Sequence, residues 1–346
     1  MRLFRTRTID ALPPVPDDLR AAIENAERTP TQHRTLFERL EALHLIEAKF
    51  QAVARSALPA DITVAAWNVE RCLDPQGSAT LLAKHDPDII LLSEMDAGMA
   101  RTGQRNATRE VAHHLGMGYA FGVEFFEMGL GSALEQELAS ETENALGWHG
   151  NAIVAKTSPS ALALIRLDDH GHWFCENPGV DASQPRIGGR MAIAATFETV
   201  HGTLCAVSTH LESAGSVSIR QSQMDRIMAA VDQFAPGAAV IIGGDLNTGN
   251  NLAEGLDWQS ETLFEAAERQ NYSWTMNPAG TTTRPSRLTR FPDRAMKLDW
   301  FAARDVKAQM ARIVPALDAE NTPLSDHELI VCQLNLEPQL TVRPQQ

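Results

Sequence analysis

Short apolar runs recur along the chain from residue 62 onward, and turn residues bound each of them. Runs of this kind predict β-strands, which we place at residues 62–67, 89–92, 152–155, 191–197, 204–208, 238–242, 298–302 and 328–334. Residues 216–234 carry apolar side chains at helical spacing, so they predict a helix that begins after Ser216. Many strands with few helices favour sheets covered by helices over a regular strand–helix alternation.

The first 60 residues have a different pattern. Apolar positions at helical spacing predict one helix from about Asp17 and a second from about Thr31 to Arg55. The pair would form a helical hairpin with one apolar face, which must pack on the main domain or on another subunit. We therefore divide the chain into a helical extension (1–60), a catalytic domain (61–338) and a C-terminal tail (339–346), with self-association through the N-terminal helices as one use of the apolar face.

Composition narrows the classes of protein that fit. The chain has 346 residues, 44% hydrophobic and 21% charged, which suits a large globular domain. Its net charge of −14 disfavours a protein that grips long duplex DNA, although a local basic groove fits within an acidic total. The four cysteines form no CxxC pair, so neither a zinc knuckle nor a disulfide framework is predicted. No apolar run approaches the ~20 residues of a membrane span, and no signal-peptide pattern opens the chain, so we expect a cytoplasmic protein.

Polar residues stand at the ends of the predicted strands, where a sheet would deliver them to one edge. A single strand-end carboxylate is usually a cap or a turn residue. Many with the same placement indicate a common site. These residues are Asn68, Glu94, His210, Asp245, Asn247, Asp299, Asp326 and His327.

The residue types in this group suit hydrolysis of a phosphate ester. The carboxylates of Glu94 and Asp326, with the amide of Asn68, are hard oxygen ligands that favour Mg²⁺ or Mn²⁺ over zinc. Such a cation neutralises charge on a phosphoryl group. An Asp–His pair can polarise an imidazole for work on phosphate or water, and a second Asp with a neighbouring Asn can hold the attacking water.

Several of these residues lie in short motifs: Trp67-Asn68-Val69, Ser93-Glu94-Met95-Asp96, Ser208-Thr209-His210-Leu211, Gly243-Gly244-Asp245-Leu246-Asn247-Thr248, Leu298-Asp299-Trp300-Phe301 and Ser325-Asp326-His327. In content and order they resemble the motifs of the endonuclease/exonuclease/phosphatase superfamily, over about residues 61 to 336. The resemblance implies an α/β fold, a four-layer sandwich of two packed mixed sheets flanked by helices. It also implies metal-dependent phosphoesterase activity.

The resemblance further implies a role for each residue. Glu94 would be the main metal ligand, assisted by Asn68 and Asp326. Asp245 would position or deprotonate the attacking water, with Asn247 bracing it. His210 would donate to a phosphate oxygen, and His327, oriented by Asp299, would contact phosphate or act as a base. His149 and Asn151 match the family's Gly-Asn-Ala-Ile strand start and Arg190 matches a common family arginine, so these three are candidates for substrate binding. The alternatives are structural roles for His149 and Asn151 and pairing with an acid for Arg190.

Two segments bear on the substrate. Residues 110–155 contain seven glutamates and neither Lys nor Arg, which predicts an acidic rim that repels a polyanion or a solvated surface insertion. Residues 281–297 contain Arg284, Arg287, Arg290, Arg294 and Lys297, which would grip an anionic group or face solvent. Together they favour a small organic or lipid-like phosphodiester or phosphomonoester. The alternatives are a DNA or RNA nuclease and, in another class, a non-catalytic binding protein on the same fold.

Overall fold

The computed structural model describes residues 2–50, 57–168, 170–175, 184–289 and 292–337. The predicted C-terminal tail, 339–346, lies outside these residues. The strands of the described chain are β1 Thr8–Ile9, β2 Ile46–Lys49, β3 Asp61–Arg71, β4 Ile89–Ala97, β5 Gly118–Glu127, β6 Trp148–Ala155, β7 Ala161–Arg166, β8 Arg186–Gly188, β9 Met191–Thr199, β10 Gly202–His210, β11 Ala239–Asp245, β12 Asp299–Arg304, β13 Lys307–Ala308, β14 Arg312–Val314 and β15 Leu329–Asn335. The α-helices are α1 Asp17–Glu24, α2 Pro30–Arg39, α3 Pro75–Ala83, α4 Ala107–Leu115, α5 Ala133–Leu138, α6 Val217–Phe234 and α7 Leu263–Glu268.

The strands form two mixed sheets. The larger has the order β1-β2-β5-β6-β4-β3-β15-β13, with β8 on β5 and β14 on β15, and the smaller has the order β12-β11-β10-β9-β7. Alternate strand residues of both sheets form one buried cluster between them, in which Val64 and Leu91 meet Ile193 and Phe301. The outer face of the larger sheet packs against α1–α4 and that of the smaller sheet against α6 and α7. The predicted four-layer α/β sandwich is confirmed.

Each apolar run predicted as a strand lies within or overlaps an observed strand, and the predicted helix at 216–234 is α6. The runs are apolar because their strands are buried on both faces. Residues Ile62–Val69, for example, are all buried except Thr63. Seven further strands of the described chain were not predicted: β1, β2, β5, β7, β8, β13 and β14.

The predicted second N-terminal helix is wrong beyond Arg39. The chain forms a short 3₁₀ turn at Glu41–His44, then strand β2, which pairs antiparallel with β5 through Ile46 and Gly122. Residues 51–55 of the predicted helix lie outside the described residues. The carboxylate of Glu47, on β2, accepts hydrogen bonds from Asn106 and Tyr119 at 2.8 and 2.7 Å, so this acidic residue is satisfied in a buried strand.

The apolar face of the N-terminal helices packs on the same chain. Leu19 and Ile23 of α1 and Leu36 and Phe37 of α2 are buried in one cluster with Phe126 of β5. The face that we considered for self-association is therefore already covered, and the first of the two alternatives, packing on the main domain, describes the structure.

Two expectations drawn from composition concern cysteines and membranes. The four cysteines are free and buried. None of the helices in the described part of the chain combines the length and apolar character needed to cross a bilayer.

Candidate active site

The strand ends bring the predicted residues to one edge of the sandwich. Residues Asn68 of β3 and Ser93 of β4, next to Glu94, are register partners in a parallel pair. His210 of β10 is the register partner of Asp245 of β11, which in turn faces Asp299 of β12. Most of the predicted residues line a cavity of about 840 Å³, whereas Asn68 and Asp299 are buried and are not among its lining residues. Its lining includes Glu94, His149, Arg190, His210, Asp245, Asn247, Asp326 and His327.

Two glycines allow the strand β11 to carry Asp245 into this edge. A Cβ on Gly244 would lie 2.0 Å from the carbonyl oxygen of Thr209 on β10, and its φ is +147°. A Cβ on Gly243 would lie 2.8 Å from Leu91 of the opposite sheet. The motif Gly-Gly-Asp thus needs glycine for close approach of backbone and sheets.

Asn68 connects Glu94 of the larger sheet with Asp245 of the smaller sheet. Its Nδ2 donates to Glu94 Oε1 and to Asp245 Oδ2, both at 3.1 Å. Its Oδ1 accepts from the backbone N–H of Glu70 at 3.1 Å. The side chain is completely buried. In this orientation Asn68 fixes two carboxylates with its nitrogen, and a rotation of the amide would present the oxygen to a cation held by Glu94.

Glu94 lies in a cluster with two other carboxylates and one arginine. Arg71 pairs with Glu94 and, although burial opposes it, holds the pKa of Glu94 well below its usual range. Burial and the neighbouring Asp326 raise the pKa of Glu70 to about 8. Burial and Glu94 likewise raise the pKa of Asp326, against the effect of His327. These three carboxylic groups thus share one pocket wall with Arg71, and this oxygen-rich set fits a hard divalent cation.

The turn that carries Arg71 into the cluster is strained. Glu70, Arg71 and Cys72 have φ of 44°, 74° and 57°, and Glu94 has φ of 58°. Consecutive non-glycine residues in the left-handed region are uncommon and cluster at functional sites. The strained turn follows directly from Asn68, where the ladder between β3 and β4 shifts register.

The tautomer of His210 follows from its neighbour Arg190. Arg190 Nη1 lies 2.9 Å from His210 Nδ1, and a guanidinium can only donate, so Nδ1 accepts and the ring proton is on Nε2. Burial and Arg190 hold the pKa of His210 well below its usual range. Nε2 lies 3.4 Å from Asp245 Oδ2 and 3.9 Å from Glu94 Oε1. His210 is thus a neutral imidazole that directs an N–H donor into the pocket.

His327, in contrast to the neutral His210, carries a positive charge. Its Nδ1 donates to Asp299 Oδ2 at 2.8 Å, and its Nε2 lies 3.6 Å from Asp245 Oδ2. Burial opposes protonation, but Asp299 and Asp245 raise the pKa of His327 well above its usual value. Ligand atoms of these three residues lie within 4.8 Å of one another, a spacing that also suits a cation. Here the imidazolium itself supplies the positive charge between the two carboxylates.

Asp245 is the residue on which these contacts converge. Burial raises its pKa to about 6, with Asp299 adding to this effect and His327 opposing it. Its Oδ1 accepts the backbone N–H of Asn247 at 2.8 Å. The side chain of Asn247 donates to the Leu211 carbonyl at 2.9 Å, and its φ is 51°. Asn247 therefore holds the loop after β11 in place while it lines the pocket.

The three candidates for substrate binding differ in position. His149 lines the pocket, and its Nδ1 lies 2.8 Å from Asp96 Oδ1. Arg190 also lines the pocket, and its Nη1 lies 2.6 Å from Glu124 Oε1. Asn151 is fully buried, donates to the Met191 carbonyl at 2.9 Å, and is not among the lining residues. Its contacts are those of a residue that joins β6 to β9.

Comparison with known proteins identifies a family. The model of the Endonuclease/Exonuclease/phosphatase family matches residues 65–327, which is most of the chain. The chain belongs to this family. Members are phosphoesterases and nucleases that typically depend on a divalent metal. No curated protein sequence matches the chain significantly.

Solved structures with this family's fold are similar over most of the chain. An endonuclease/exonuclease/phosphatase from Beutenbergia cavernae is 17% identical with a TM-score of 0.56, covering 80% of this chain and 72% of that one. A functionally unknown conserved protein from Enterococcus faecalis is 13% identical with a TM-score of 0.56, covering 80% and 100%. The human Nocturnin catalytic domain with bound sulfate is 17% identical with a TM-score of 0.53, covering 84% and 98%. At these identities the likeness concerns the fold.

The acidic segment at 110–155 differs in part from what its composition predicts, since Glu137, Glu141 and Glu143 are exposed but three other glutamates are not. Both interpretations, a repelling rim and a solvated insertion, are wrong for Glu124, Glu127 and Glu135, which are buried. Each pairs with an arginine from outside the segment. The pairs are Glu124–Arg190 at 2.6 Å, Glu127–Arg101 at 2.8 Å and Glu135–Arg71 at 3.1 Å. Their charge is therefore neutralised within the wall of the pocket.

Of the basic residues at 281–297 that the structure describes, Arg294 alone lines the pocket. Its Nη2 donates to Asn250 Oδ1 at 2.6 Å. Arg284 pairs instead with Glu328 at 3.2 Å, and the Lys297 ammonium lies 3.9 Å from the Trp300 ring centroid. Arg290 lies outside the described residues.

The lining residues that sequence reasoning missed include Arg71, Trp173 and Arg186. Arg71 follows the Trp-Asn-Val motif by two residues, which is a signal that could have been used. Trp173 and Arg186 stand in a segment without strand periodicity, where nothing in the pattern indicates the pocket.

Proposed function

We propose that this protein is a divalent-metal-dependent hydrolase of a small organic or lipid-like phosphodiester or phosphomonoester. One observation carries the proposal. The Nε2 atoms of His210 and His327 lie 3.4 and 3.6 Å from the same carboxylate oxygen, Asp245 Oδ2, at the pocket that Glu94 also lines. A carboxylate between two imidazole donors, beside an oxygen-rich cluster, suits in-line attack of water on a phosphoryl group.

The cation in this proposal is Mg²⁺ or Mn²⁺, held by Glu94 and Asp326 with Asn68. When bound, it supplies positive charge that neutralises the phosphoryl oxygens and acidifies a water. Glu70 adds a fourth oxygen-bearing side chain to the same wall.

The residues of the chain have distinct tasks in the proposed mechanism. Asp245, held by Asn68 and the backbone of Asn247, orients the attacking water and accepts its proton. The neutral His210 donates from Nε2 to a non-bridging phosphate oxygen. The imidazolium of His327, oriented by Asp299, donates to the oxygens that gain charge as the ester bond breaks.

The size and lining of the pocket support a small substrate. A volume of about 840 Å³ is within the ordinary range for small organic ligands. The aromatic side chains Phe125 and Trp173 and the arginines Arg186, Arg190 and Arg294 line it. This mixture suits a substrate with an apolar or planar group beside its phosphate, whereas the net charge of −14 disfavours long duplex DNA.

The test is a panel of p-nitrophenyl mono- and diesters with plasmid and single-stranded DNA, each assayed with Mg²⁺, Mn²⁺ and Ca²⁺. We expect metal-dependent hydrolysis of at least one diester, and a loss of about 10²-fold or more in Glu94→Gln. The matched control is Glu268→Gln, which removes the same charge from an exposed site on α7. DNA cleavage with inert small esters would favour the nuclease alternative. Inertness toward the whole panel with every metal would favour a binding protein.

A further inference from the structure

One wall of the pocket combines an aromatic side chain with a cation. Trp173 is half-buried, and its Nε1 donates to Glu212 Oε2 at 2.9 Å. The Arg186 guanidinium lies 4.9 Å from the Trp173 ring centroid and 5.2 Å from that of Phe125. We refer to Phe125, Trp173 and Arg186 as the aromatic wall. A fixed indole of this kind can stack on a planar group of a ligand.

The two segments that carry Trp173 and Arg186 have little secondary structure to hold them. Trp173 stands in a turn in which the N–H groups of Phe174 and Cys175 both bond to the Gly171 carbonyl. Arg186 begins β8, which has three residues and pairs with β5. Side-chain contacts with other parts of the chain must therefore fix these segments relative to each other.

His33 of α2 lies behind both segments. It is completely buried, and its Nε2 lies 3.0 Å from the carbonyl oxygen of Gly188, the last residue of β8. Its ring centroid lies 5.6 Å from that of Phe174, the residue after Trp173. Gly171 has φ of +74°, and a Cβ there would lie 2.4 Å from His33 Cγ, so the turn passes directly against the imidazole.

Two other contacts join the N-terminal segment to the residues next to Trp173 and next to β8. The Arg28 guanidinium lies 4.6 Å from the Phe174 ring centroid. Arg166 donates both to the Leu43 carbonyl and, at 3.4 Å, to the Gly189 carbonyl. The N-terminal segment is therefore attached at several points to the two segments that carry Trp173 and Arg186.

We propose that His33 is a positioning residue for substrate recognition, and that α2 forms part of the substrate-binding wall by holding Trp173 against Arg186. The recognised ligand class is a phosphate or phosphonate with a planar aromatic substituent. The ligand class rests on the proposed function of the pocket, but the positioning of Trp173 does not.

The first experiment measures Trp173 without any ligand. Acrylamide quenching of the Trp173 fluorescence, taken as the difference from Trp173→Phe, should increase in His33→Ala because the turn loses its support. His33→Gln, whose amide can donate to the Gly188 carbonyl or accept from the Gly188 N–H, should restore protection. Arg34→Ala, on the exposed face of α2, is the matched control. Unchanged quenching in His33→Ala would overturn the proposal.

The second experiment compares the binding of phenylphosphonate and methylphosphonate by calorimetry. The two compounds carry the same phosphonate group and differ in having a phenyl ring or a methyl group on it. We expect the phenyl compound to bind about tenfold more tightly to the natural protein, the scale of one aromatic stack. That preference should disappear in Trp173→Ala, shrink in His33→Ala and return in His33→Gln. Equal preference in His33→Ala and the natural protein would contradict the role of His33. Failure of both phosphonates to bind would count against the proposed function and the ligand class, while the quenching result still decides the positioning.

A third variant covers the case in which His33→Ala does not fold. Arg28→Met removes the cation from the Phe174 ring at a half-buried position and leaves the imidazole in place. We expect increased Trp173 quenching and a weakened preference for the phenyl ring in this variant. An Arg28→Met protein indistinguishable from Arg34→Ala in both measurements would overturn the proposal.

Discussion

The guanidinium of Arg71 pairs with the carboxylate of Glu94 at the base of the pocket. Its Nε also donates to Glu135 Oε1 at 3.1 Å. Arg71 thus brings a positive charge to the side chain that we propose as the main metal ligand. The left-handed backbone from Glu70 to Cys72 holds the arginine in this place.

The first prediction concerns competition between Arg71 and the cation. In Arg71→Met the carboxylates of Glu70, Glu94 and Asp326 lose their neighbouring positive charge, so a divalent cation should bind more tightly. We expect the Kd for Mn²⁺ to fall by about tenfold, equivalent to about 1.4 kcal/mol. Electron paramagnetic resonance of free Mn²⁺ during titration measures this directly.

Arg109→Met is the control for that experiment, because it removes the same charge from an exposed position on α4. It should leave the Mn²⁺ affinity within about twofold, since exposed charges are strongly screened. Weaker binding in Arg71→Met would mean that the arginine orients Glu94 for the metal rather than competing with it.

The second prediction separates the two acidic groups of the site. We expect one tightly bound divalent ion per chain, at Glu94 and Asp326 rather than between Asp245 and Asp299, where His327 already supplies a positive charge. Glu94→Gln should therefore weaken Mn²⁺ binding by more than about tenfold, as loss of one charged ligand typically does. Asp299→Asn should retain it. Loss of the ion in Asp299→Asn instead would move the metal site to the other group.

The third prediction concerns the same Asp299→Asn variant in catalysis. Without the carboxylate at 2.8 Å, His327 loses the charge that keeps it protonated and a fixed orientation of its ring. We expect kcat for a hydrolysed diester to fall by about 10²-fold or more, with KM little changed. Steady-state kinetics at saturating Mn²⁺ would show this, and an unchanged kcat would remove His327 from the mechanism.

The sequence predicted the sheets and the strand-end residues because both depend on local pattern. A strand that is buried on both faces appears in the sequence as a continuous apolar stretch. The polar motif residues stand at the ends of these stretches. Strand β2 was missed because Leu36, Leu40, Leu43 and Ile46 continue a helical spacing across it. What makes residues 46–49 a strand is tertiary: Glu47 is buried by partners 59 and 72 positions away in the sequence.

The walls of the pocket could not be predicted for the same reason. Glu124 and Glu127 looked like surface charges because their arginine partners, Arg190 and Arg101, lie elsewhere in the sequence. Trp173 donates to Glu212, 39 positions away along the chain, and the turn that carries it packs against His33. Composition gives the number of charged residues in a segment, but it does not show which of them form ion pairs in the fold.

The fourth prediction tests how much the buried ion pairs of the wall contribute to stability. Arg101 is almost fully buried and contacts Asp96, Glu127 and Glu135, each at 3.2 Å or less. Arg101→Met leaves these carboxylates without that cation, which should lower the free energy of unfolding by about 3–5 kcal/mol. Urea denaturation measures the change. Arg109→Met should stay within about 0.5 kcal/mol as an exposed control, and an equally small effect in Arg101→Met would mean that the wall carboxylates are protonated or solvated.

The fifth prediction isolates the close approach of β11 to β10. In Gly244→Ala the added Cβ would meet the Thr209 carbonyl at 2.0 Å, next to His210, and no side-chain rotation relieves a contact with backbone. Unfolding free energy should fall by more than about 4 kcal/mol, because a steric clash adds to the strain of φ +147°. Gly237→Ala has φ of +75° and nothing within 4 Å of the new Cβ, so it should cost only about 1 kcal/mol of backbone strain. Urea denaturation of the pair compares them, and equal losses would show that the approach of the two strands is not what requires glycine before Asp245.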